Sequence, residues 1–299
     1  MKLVVITGCY GFIGSHVTAA CLKKGWKVYG IDKETYAANR NSKVLSTVER
    51  VYWENFTYLK EDICNLKDLP DCDYIINTAA ETHVGNSIID SSDFIKSNFS
   101  TDEVYGDIVE GAHTEESPLS PSNPYSASKA AADMLIKAWA RTYGIDYLIL
   151  RPTNNYGPDQ YPEKLIPLAV KLLSRGRKIR LHNKGEPYRN WLHAEDTAAA
   201  VIKIIESGAI NQIFNVSGGF EQKNKETVSK IINSYFNGSY DSEYDKASDL
   251  LDLEYAREGQ DVRYSVNDAK LRSLGWEPKK VFDQEIDRIV RHCKTNFKW

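Results

Sequence analysis

Leu3-Val4-Val5-Ile6-Thr7-Gly8-Cys9-Tyr10-Gly11-Phe12-Ile13-Gly14 decides the fold. Residues 2–7 form an apolar run of the kind carried by a strand buried on both faces, as in a parallel sheet. Glycines follow at three-residue spacing, Gly8, Gly11 and Gly14. Apolar or small residues then continue from Phe12 to Leu22, and Gly25 closes that helix. A second strand, Trp26 to Ile31, ends on Asp32. Strand, glycine turn, helix, strand and acid in this order make a βαβ unit of a doubly wound α/β sheet. Bare backbone at the turn lets a pyrophosphate approach the helix N-terminus, where N–H groups and the helix dipole favour anions. Gly8, Gly11, Phe12, Ile13 and Gly14 are therefore candidate dinucleotide contacts, and Asp32 can hold the adenosine ribose hydroxyls. A glycine triplet by itself also serves ordinary tight turns; the ordered context decides. Asp32, with no arginine beside it in sequence, suits NAD better than NADP, and Lys33 keeps NADP open.

Working outward, the 299 residues leave room for one large core or two linked domains. The chain is 42% hydrophobic and 26% charged, an ordinary globular composition. A net charge of −3 gives no bulk electrostatic reason for a nucleic-acid partner. No apolar run approaches the roughly 18 residues of a membrane span, and the N-terminal run is too soon interrupted for a signal peptide. No membrane partner is expected. Five cysteines, an odd number without metal-ligand spacing, read as reduced thiols of a cytoplasmic protein, and no metal site is expected.

Asp73-Tyr-Ile-Ile-Asn-Thr-Ala79-Ala80 reads as a further buried strand whose small terminal residues permit close approach of a cofactor. A doubly wound sheet should then descend through a helix and return through a strand. Such a crossover takes about a dozen residues and the strand about 5–6 more. Asp93 to Asn98 starts such a helix, yet Phe99 leads straight into Ser100-Thr101-Asp102. The strand that should carry this segment is missing. Either the sequence omits residues of the full molecule, or a true deletion leaves a hole and an unpaired edge; the cost of such an edge favours omission.

Tyr125-Ser-Ala-Ser-Lys129 lies on a helix expected from Pro124 to Tyr143, ended by Gly144. At i and i+4 the phenol and the ammonium share a face. A free tyrosine titrates near 10 and is a poor base at neutral pH; a neighbouring cation favours its phenolate. That is what removing an alcohol proton alongside hydride transfer requires. Asp102 and Glu103 add two adjacent carboxyls, which in opposite protonation states can act as acid and base. Solvated turn acids are the plain alternative.

The Gly-x-x-Gly-x-x-Gly spacing, Ser-Thr-Asp-Glu-Val-Tyr-Gly at 100–106 and Tyr-Ser-Ala-Ser-Lys at 125–129 together resemble the extended short-chain dehydrogenase/reductases, specifically the nucleotide-sugar 4,6-dehydratase family. The resemblance covers nearly the whole chain except a few dozen residues before Ser100. It implies a Rossmann-type NAD domain, residues 1–157 plus about 190–213, and a smaller C-terminal α/β substrate domain, 158–189 plus 214–299. It implies bound NAD and a nucleotide-diphosphate sugar that is oxidised at C4, loses water across C5 and C6, and receives the hydride back at C6. Thr101 would hold the C4 oxygen, Glu103 take the C5 proton and Asp102 protonate the C6 hydroxyl. Further cofactor contacts would be Thr35, Asp62, Ile63, Ala79, Ala80, Thr82 and Asn154, with Tyr125 and Lys129 also touching the cofactor. Substrate contacts would be His83, Thr101, Asn155, Lys164, Arg189, Asn215 and Arg263. dTDP-glucose is the expected substrate, with UDP- or CDP-glucose as alternatives. A 4-epimerase would have no use for both acids, and a non-catalytic dinucleotide sensor would have no need of Thr101, Tyr125 and Lys129. Relatives are homodimers, which sets the same expectation here.

Overall fold

The computed structural model describes residues 1–80, 100–237, 249–254 and 261–296. Strands β1 (Leu3–Thr7), β2 (Lys27–Asp32), β3 (Phe56–Lys60) and β4 (Tyr74–Asn77) form one parallel sheet in the order β3-β2-β1-β4. Helix α1 (Phe12–Lys23) connects β1 to β2. Its side chains from Gly14 to Ala19, together with Cys21 and Leu22, are buried, because it is covered on one side by the sheet and on the other by a second helix. That second helix is residues Ala194–Ser207, described below as α4. The stretch from Asn39 to Asn55, expected as helix and loop, holds only the 3₁₀ turns Leu45–Thr47 and Arg50–Asn55.

After the break come helix α2 (Pro124–Tyr143), β5 (Leu148–Pro152), β6 (Asn154–Tyr156) and α3 (Leu165–Ser174). The start of α2 is fixed by a capping box between Asn123 and Ser126 with Pro124 in the first turn, and its end by Gly144 at φ 67°. The remaining elements are β7 (Ile179–Arg180), β8 (Tyr188–His193), α4 (Ala194–Ser207), β9 (Gln212–Val216), β10 (Phe220–Lys223), α5 (Asn224–Tyr235), β11 (Leu251–Asp252), α6 (Ala269–Ser273) and α7 (Phe282–Asn296). β8 lies between β6 and antiparallel β10, while α3, α5 and α7 pack around a separate apolar core with Tyr156, Trp191 and Phe282. The chain therefore crosses between two cores, since α4 returns Ala198, Val201, Ile202 and Ile205 to the core of α1.

One departure from a continuous sheet stands out. Among the described residues β5 pairs in parallel only with β9, as a two-stranded sheet separate from β3-β2-β1-β4. Among the described residues β4 has β1 as its one partner. Ile75 in β4 is consequently 56% exposed, where the fully paired β1 buries Val4, Val5 and Ile6 completely. Among the described residues the sheet is divided between β4 and β5.

Candidate active site

The glycine turn has the shape its spacing implies. Gly8 sits at φ 70°, and a Cβ there would lie 2.8 Å from the Ala79 nitrogen. A Cβ on Gly14 would come within 1.9 Å of the Gly8 carbonyl oxygen and 2.7 Å of the Thr78 hydroxyl, so only glycine lets α1 close onto the turn. Gly11 is the N-cap and brings no side chain to that helix end. Asp32, 7% exposed, accepts from the Tyr10 N–H at 3.0 Å and the Glu34 N–H at 2.7 Å. Lys33 reaches Asp62 at 3.6 Å, and Asp62 caps a 3₁₀ turn through the Cys64 N–H, which holds its carboxyl below the usual range. Thr35, Ile63, Ala79 and Ala80 are half-buried around the same strand ends. A side-chain-free helix end with an acid at the neighbouring strand fits a dinucleotide. Thr82 and His83 lie outside the described residues.

The absence of an arginine near Asp32 holds in sequence but not in space. Arg40 folds back over the rings of Tyr58 and Tyr10, 4.7 and 5.5 Å from their centroids, and pairs with Glu34. Glu34 also takes Lys60 at 2.8 Å, so its carboxylate lies between two cations, and Asp32 still repels a 2′-phosphate. The arrangement favours NAD.

Tyr125 and Lys129 are both buried on α2, with the Lys129 Nζ 5.2 Å from the Tyr125 ring centroid. The phenol does not show the lowered pKa that the pairing implies. Burial, then the charges of Glu103 and Asp102, push it well above its ordinary value. A further cation beside the ring is needed to reverse that, and oxidised nicotinamide carries one.

Thr101, Asp102 and Glu103 open a 3₁₀ turn, Asp102–Tyr105, that Thr101 caps. The Thr101 hydroxyl donates to Asp102 Oδ1 at 3.0 Å and accepts from the Glu103 N–H at 3.4 Å. Asp102 is 2% exposed, and its Oδ2 is buried with no hydrogen-bond partner among the described residues. Burial, then the neighbouring Glu103 charge, raises its pKa to about 7. Glu103 is only half-buried. Its charge acts on Asp102, Tyr125, Tyr264 and Lys164, so these side chains converge on it. Adjacent in sequence, the two acids meet different surroundings, which is how a carboxyl pair is split into acid and base.

Lys164 pairs with Glu163 at 3.3 Å, and burial lowers its pKa against the pull of Glu163 and Glu103. Arg189 lies over the Tyr264 ring at 4.8 Å, donates to the carbonyls of Tyr188 and Asp261, and stabilises the Asp102 carboxylate electrostatically. Both belong to the site. Asn154 Oδ1 is buried without a partner among the described residues, as a group awaiting a ligand would be.

Three expected substrate contacts are occupied elsewhere. Asn215 is fully buried on β9; its amide donates to the carbonyls of His113 and Asn267 and accepts from the Tyr105 hydroxyl at 2.8 Å. Its amide is thus fully engaged within the protein. Asn155 spends its amide on the Thr153 carbonyl and the Thr197 hydroxyl. Arg263 makes a bidentate pair with Glu221 at 2.6 and 3.0 Å, and its remaining nitrogen faces the carbonyls of Ile108, Val109 and Gly111. A phosphate would have to displace Glu221.

Sequence reasoning missed Asp133, Arg151 and Tyr105, all buried beside this loop. A signal was available. An arginine inside the apolar strand Leu148-Ile-Leu-Arg151-Pro152 demands a buried partner.

Fold and site define a nicotinamide-dinucleotide enzyme with a redox pair and a carboxyl pair. Residues 4–100 match the model of the NAD dependent epimerase/dehydratase family, and residues 97–289 that of the GDP-mannose 4,6 dehydratase family. The chain belongs to the extended short-chain dehydrogenase/reductases of the nucleotide-sugar 4,6-dehydratase family. A dTDP-glucose 4,6-dehydratase of Streptomyces niveus is 36% identical over 99% of this chain and 94% of its own length. That alignment spans 329 positions against the 299 residues here, so at least 30 positions of it face nothing in this chain. The two family models meet at residues 97–100, where the sheet divides. DesIV, a dTDP-glucose 4,6-dehydratase of Streptomyces venezuelae solved with NAD and dTDP bound, superposes with a TM-score of 0.88 at 33% identity, covering 98% of this chain and 97% of its own. A UDP-N-acetylglucosamine 4-epimerase of Methanobrevibacter ruminantium, 24% identical, reaches 0.83 over 99% of each chain. The fold alone therefore does not choose between dehydration and epimerisation.

Proposed function

We propose that this protein converts dTDP-glucose to dTDP-4-keto-6-deoxyglucose with NAD held in the glycine turn. The observation that carries this reading is the unequal carboxyl pair: Asp102 enclosed and raised to about 7, Glu103 half-exposed beside it, both within electrostatic reach of Tyr125. An epimerase has no step for either acid. Gly8, Gly11, Gly14, Asp32, Asp62 and Asn154 would hold NAD, which accepts the C4 hydride and returns it to C6. Tyr125, aided by Lys129, takes the proton of the C4 hydroxyl. Thr101 must turn from Asp102 to donate to the C4 oxygen, because its single O–H is engaged there. With C4 a ketone the C5 proton becomes acidic; Glu103 removes it and returns a proton to C5 when the hydride reaches C6. Asp102, whose raised pKa keeps a substantial fraction of it protonated near pH 7, protonates the C6 hydroxyl so that water leaves. Lys164 and Arg189 line the sugar and diphosphate side.

We also assign residues 1–157 with about 190–213 to the NAD domain and the remainder to the substrate domain, with β9 extending the first past 213 through its pairing with β5. A homodimer is part of the same reading, supported by α2, where Leu135, Trp139 and Tyr143 expose 51, 54 and 71% of their surface in one stripe. Among the described residues no helix is long and apolar enough to cross a membrane. We assign the enzyme to the cytoplasm, with no membrane or nucleic-acid partner.

Purified protein incubated with dTDP-glucose and NAD should yield the 4-keto sugar, read by its absorbance in base. Product from UDP- or CDP-glucose instead would reassign the base, and a C4 epimer would reassign the reaction. No product from any of the three sinks the reading.

A further inference from the structure

The acid–base loop is fastened at both ends to a single buried ion pair. Arg151 on β5 is 1% exposed, and its Nε donates to Asp133 Oδ2 at 2.8 Å. The same Asp133 oxygen accepts from the Ser100 hydroxyl at 3.0 Å, one residue before Thr101. The Arg151 Nη1 donates to the Tyr105 hydroxyl at 2.7 Å, two residues after Glu103, and its guanidinium lies over the Tyr105 ring at 4.8 Å. Tyr105 in turn donates to Asn215 and stacks on His113 at 5.1 Å. Asp133 lies on α2 at i+4 from Lys129 and i+8 from Tyr125, two turns along the face that carries the redox pair. The helix holding the redox residues therefore also holds both ends of the loop holding the acids.

We propose that Asp133, Arg151 and Tyr105 are positioning residues that set the Asp102–Glu103 pair in register with Tyr125 and Lys129, so that C4 oxidation and water elimination act on the same bound sugar. A planar guanidinium suits the task because it presents Nε to one anchor and Nη1 to another in fixed relation, which a lysine ammonium does not. The ion pair contacts the loop and its neighbours, Ser100 and Tyr105 among them. Its effect passes through the loop. The inference rests on the dehydratase reading, so its test includes a readout independent of turnover.

Ser100→Ala and Tyr105→Phe each remove one anchor without leaving a buried charge unpaired, and Arg151→Lys keeps the charge but gives up the fork. In all three, amide exchange across residues 101–106 should quicken while that of β1 and β2 stays as in the parent. With dTDP-glucose, the reduced-nicotinamide signal should build up, because oxidation proceeds while elimination slows. For Tyr105→Phe, kcat should fall by about a hundredfold, the scale of a misplacement near 1 Å, with KM little changed. Unchanged exchange in 101–106 overturns the proposal whatever the activity. Oxidation and elimination falling together, with no reduced nicotinamide accumulating, overturns it as well. A parent enzyme that dehydrates nothing while the exchange result holds leaves the clamp standing and removes the dehydratase reading instead.

Discussion

Between β1 and α1, shape is held by what is missing: a Cβ on Gly14 would stand 1.9 Å from the Gly8 oxygen, and Gly11 brings no side chain to the helix end. Between Ser100 and Gly106, shape is held by what is present: Thr101 bridging Asp102 and the Glu103 N–H, with Ser100 and Tyr105 tied to the Asp133–Arg151 pair. The first design costs nothing in desolvation and binds through backbone. The second buries charge, and a buried carboxyl kept neutral is its product. The difference teaches that the cofactor half of this fold is a shape shared across redox sugar enzymes, whereas the choice of reaction lies in a polar network supported by distant segments.

The largest break in that comparison comes from removing the base. Glu103→Gln should lower turnover roughly 10²–10⁴-fold, the usual contribution of a positioned acid or base. NAD binding should be unaffected, because the glycine turn shares no side chain with the loop. With dTDP-glucose in deuterated water the variant should still reduce the nicotinamide yet incorporate no deuterium at C5. Deuterium entering at the parent rate would show that another group takes the C5 proton.

Asp102→Asn tests the neutral acid, with a smaller effect on stability that depends on pH. The Asp102 pKa is raised, to about 7, so the fold favours its protonated form. Such a group's stability contribution is complete below the ordinary aspartate value and is lost as pH rises through about 7. In urea titrations the parent should therefore lose stability between about pH 4 and about pH 7, and the asparagine variant should lose less. Turnover of the parent should fall on the alkaline side near the same pH, as a property of the Asp102–Glu103 pair rather than of one residue. Parallel pH curves for parent and variant would show that burial does not hold Asp102 neutral.

How far the sequence could be read follows the same division. Gly8, Gly11 and Gly14, and Tyr125 with Lys129, lie within one local element each, so spacing alone was enough to bring each set together. The α2 helix was bounded correctly at both ends because its caps, Asn123-Pro124 and Gly144, are local. Strand β3 was passed over because Phe56–Lys60 is short and only partly buried, and helix α5 because its many polar residues mask the helical spacing of Val228, Ile231, Ile232 and Tyr235. Arg151 and Asp133 sit 18 positions apart, and Arg263 and Glu221 sit 42 apart. No spacing rule links such pairs. The partners of Asn215 were illegible for a related reason: Tyr105, whose hydroxyl it accepts from, lies 110 residues earlier. Arg40 repeats the lesson, absent from the end of β2 in sequence and present there in space.

The smallest expected effect concerns the sheet that joins the two regions. β1 is bonded to β2 on one side and β4 on the other, whereas β4 and β5 each have one strand partner among the described residues. An amide in a strand with a free edge exchanges through local opening, one with partners on both sides only through larger unfolding. Val5 and Ile6 amides should accordingly outlast those of Ile75 and Ile149 by about tenfold or more. Equal protection in β4 and β5 would mean that another strand lies between them. Intact mass then separates the two origins of the break. A value at 33.9 kDa with unequal protection is a true deletion, tolerated because α1, α4 and the β5–β9 pair carry the core without the central strand. A heavier chain with equal protection means that residues additional to these 299 supply a strand between β4 and β5, the strand on which the acid–base loop is mounted.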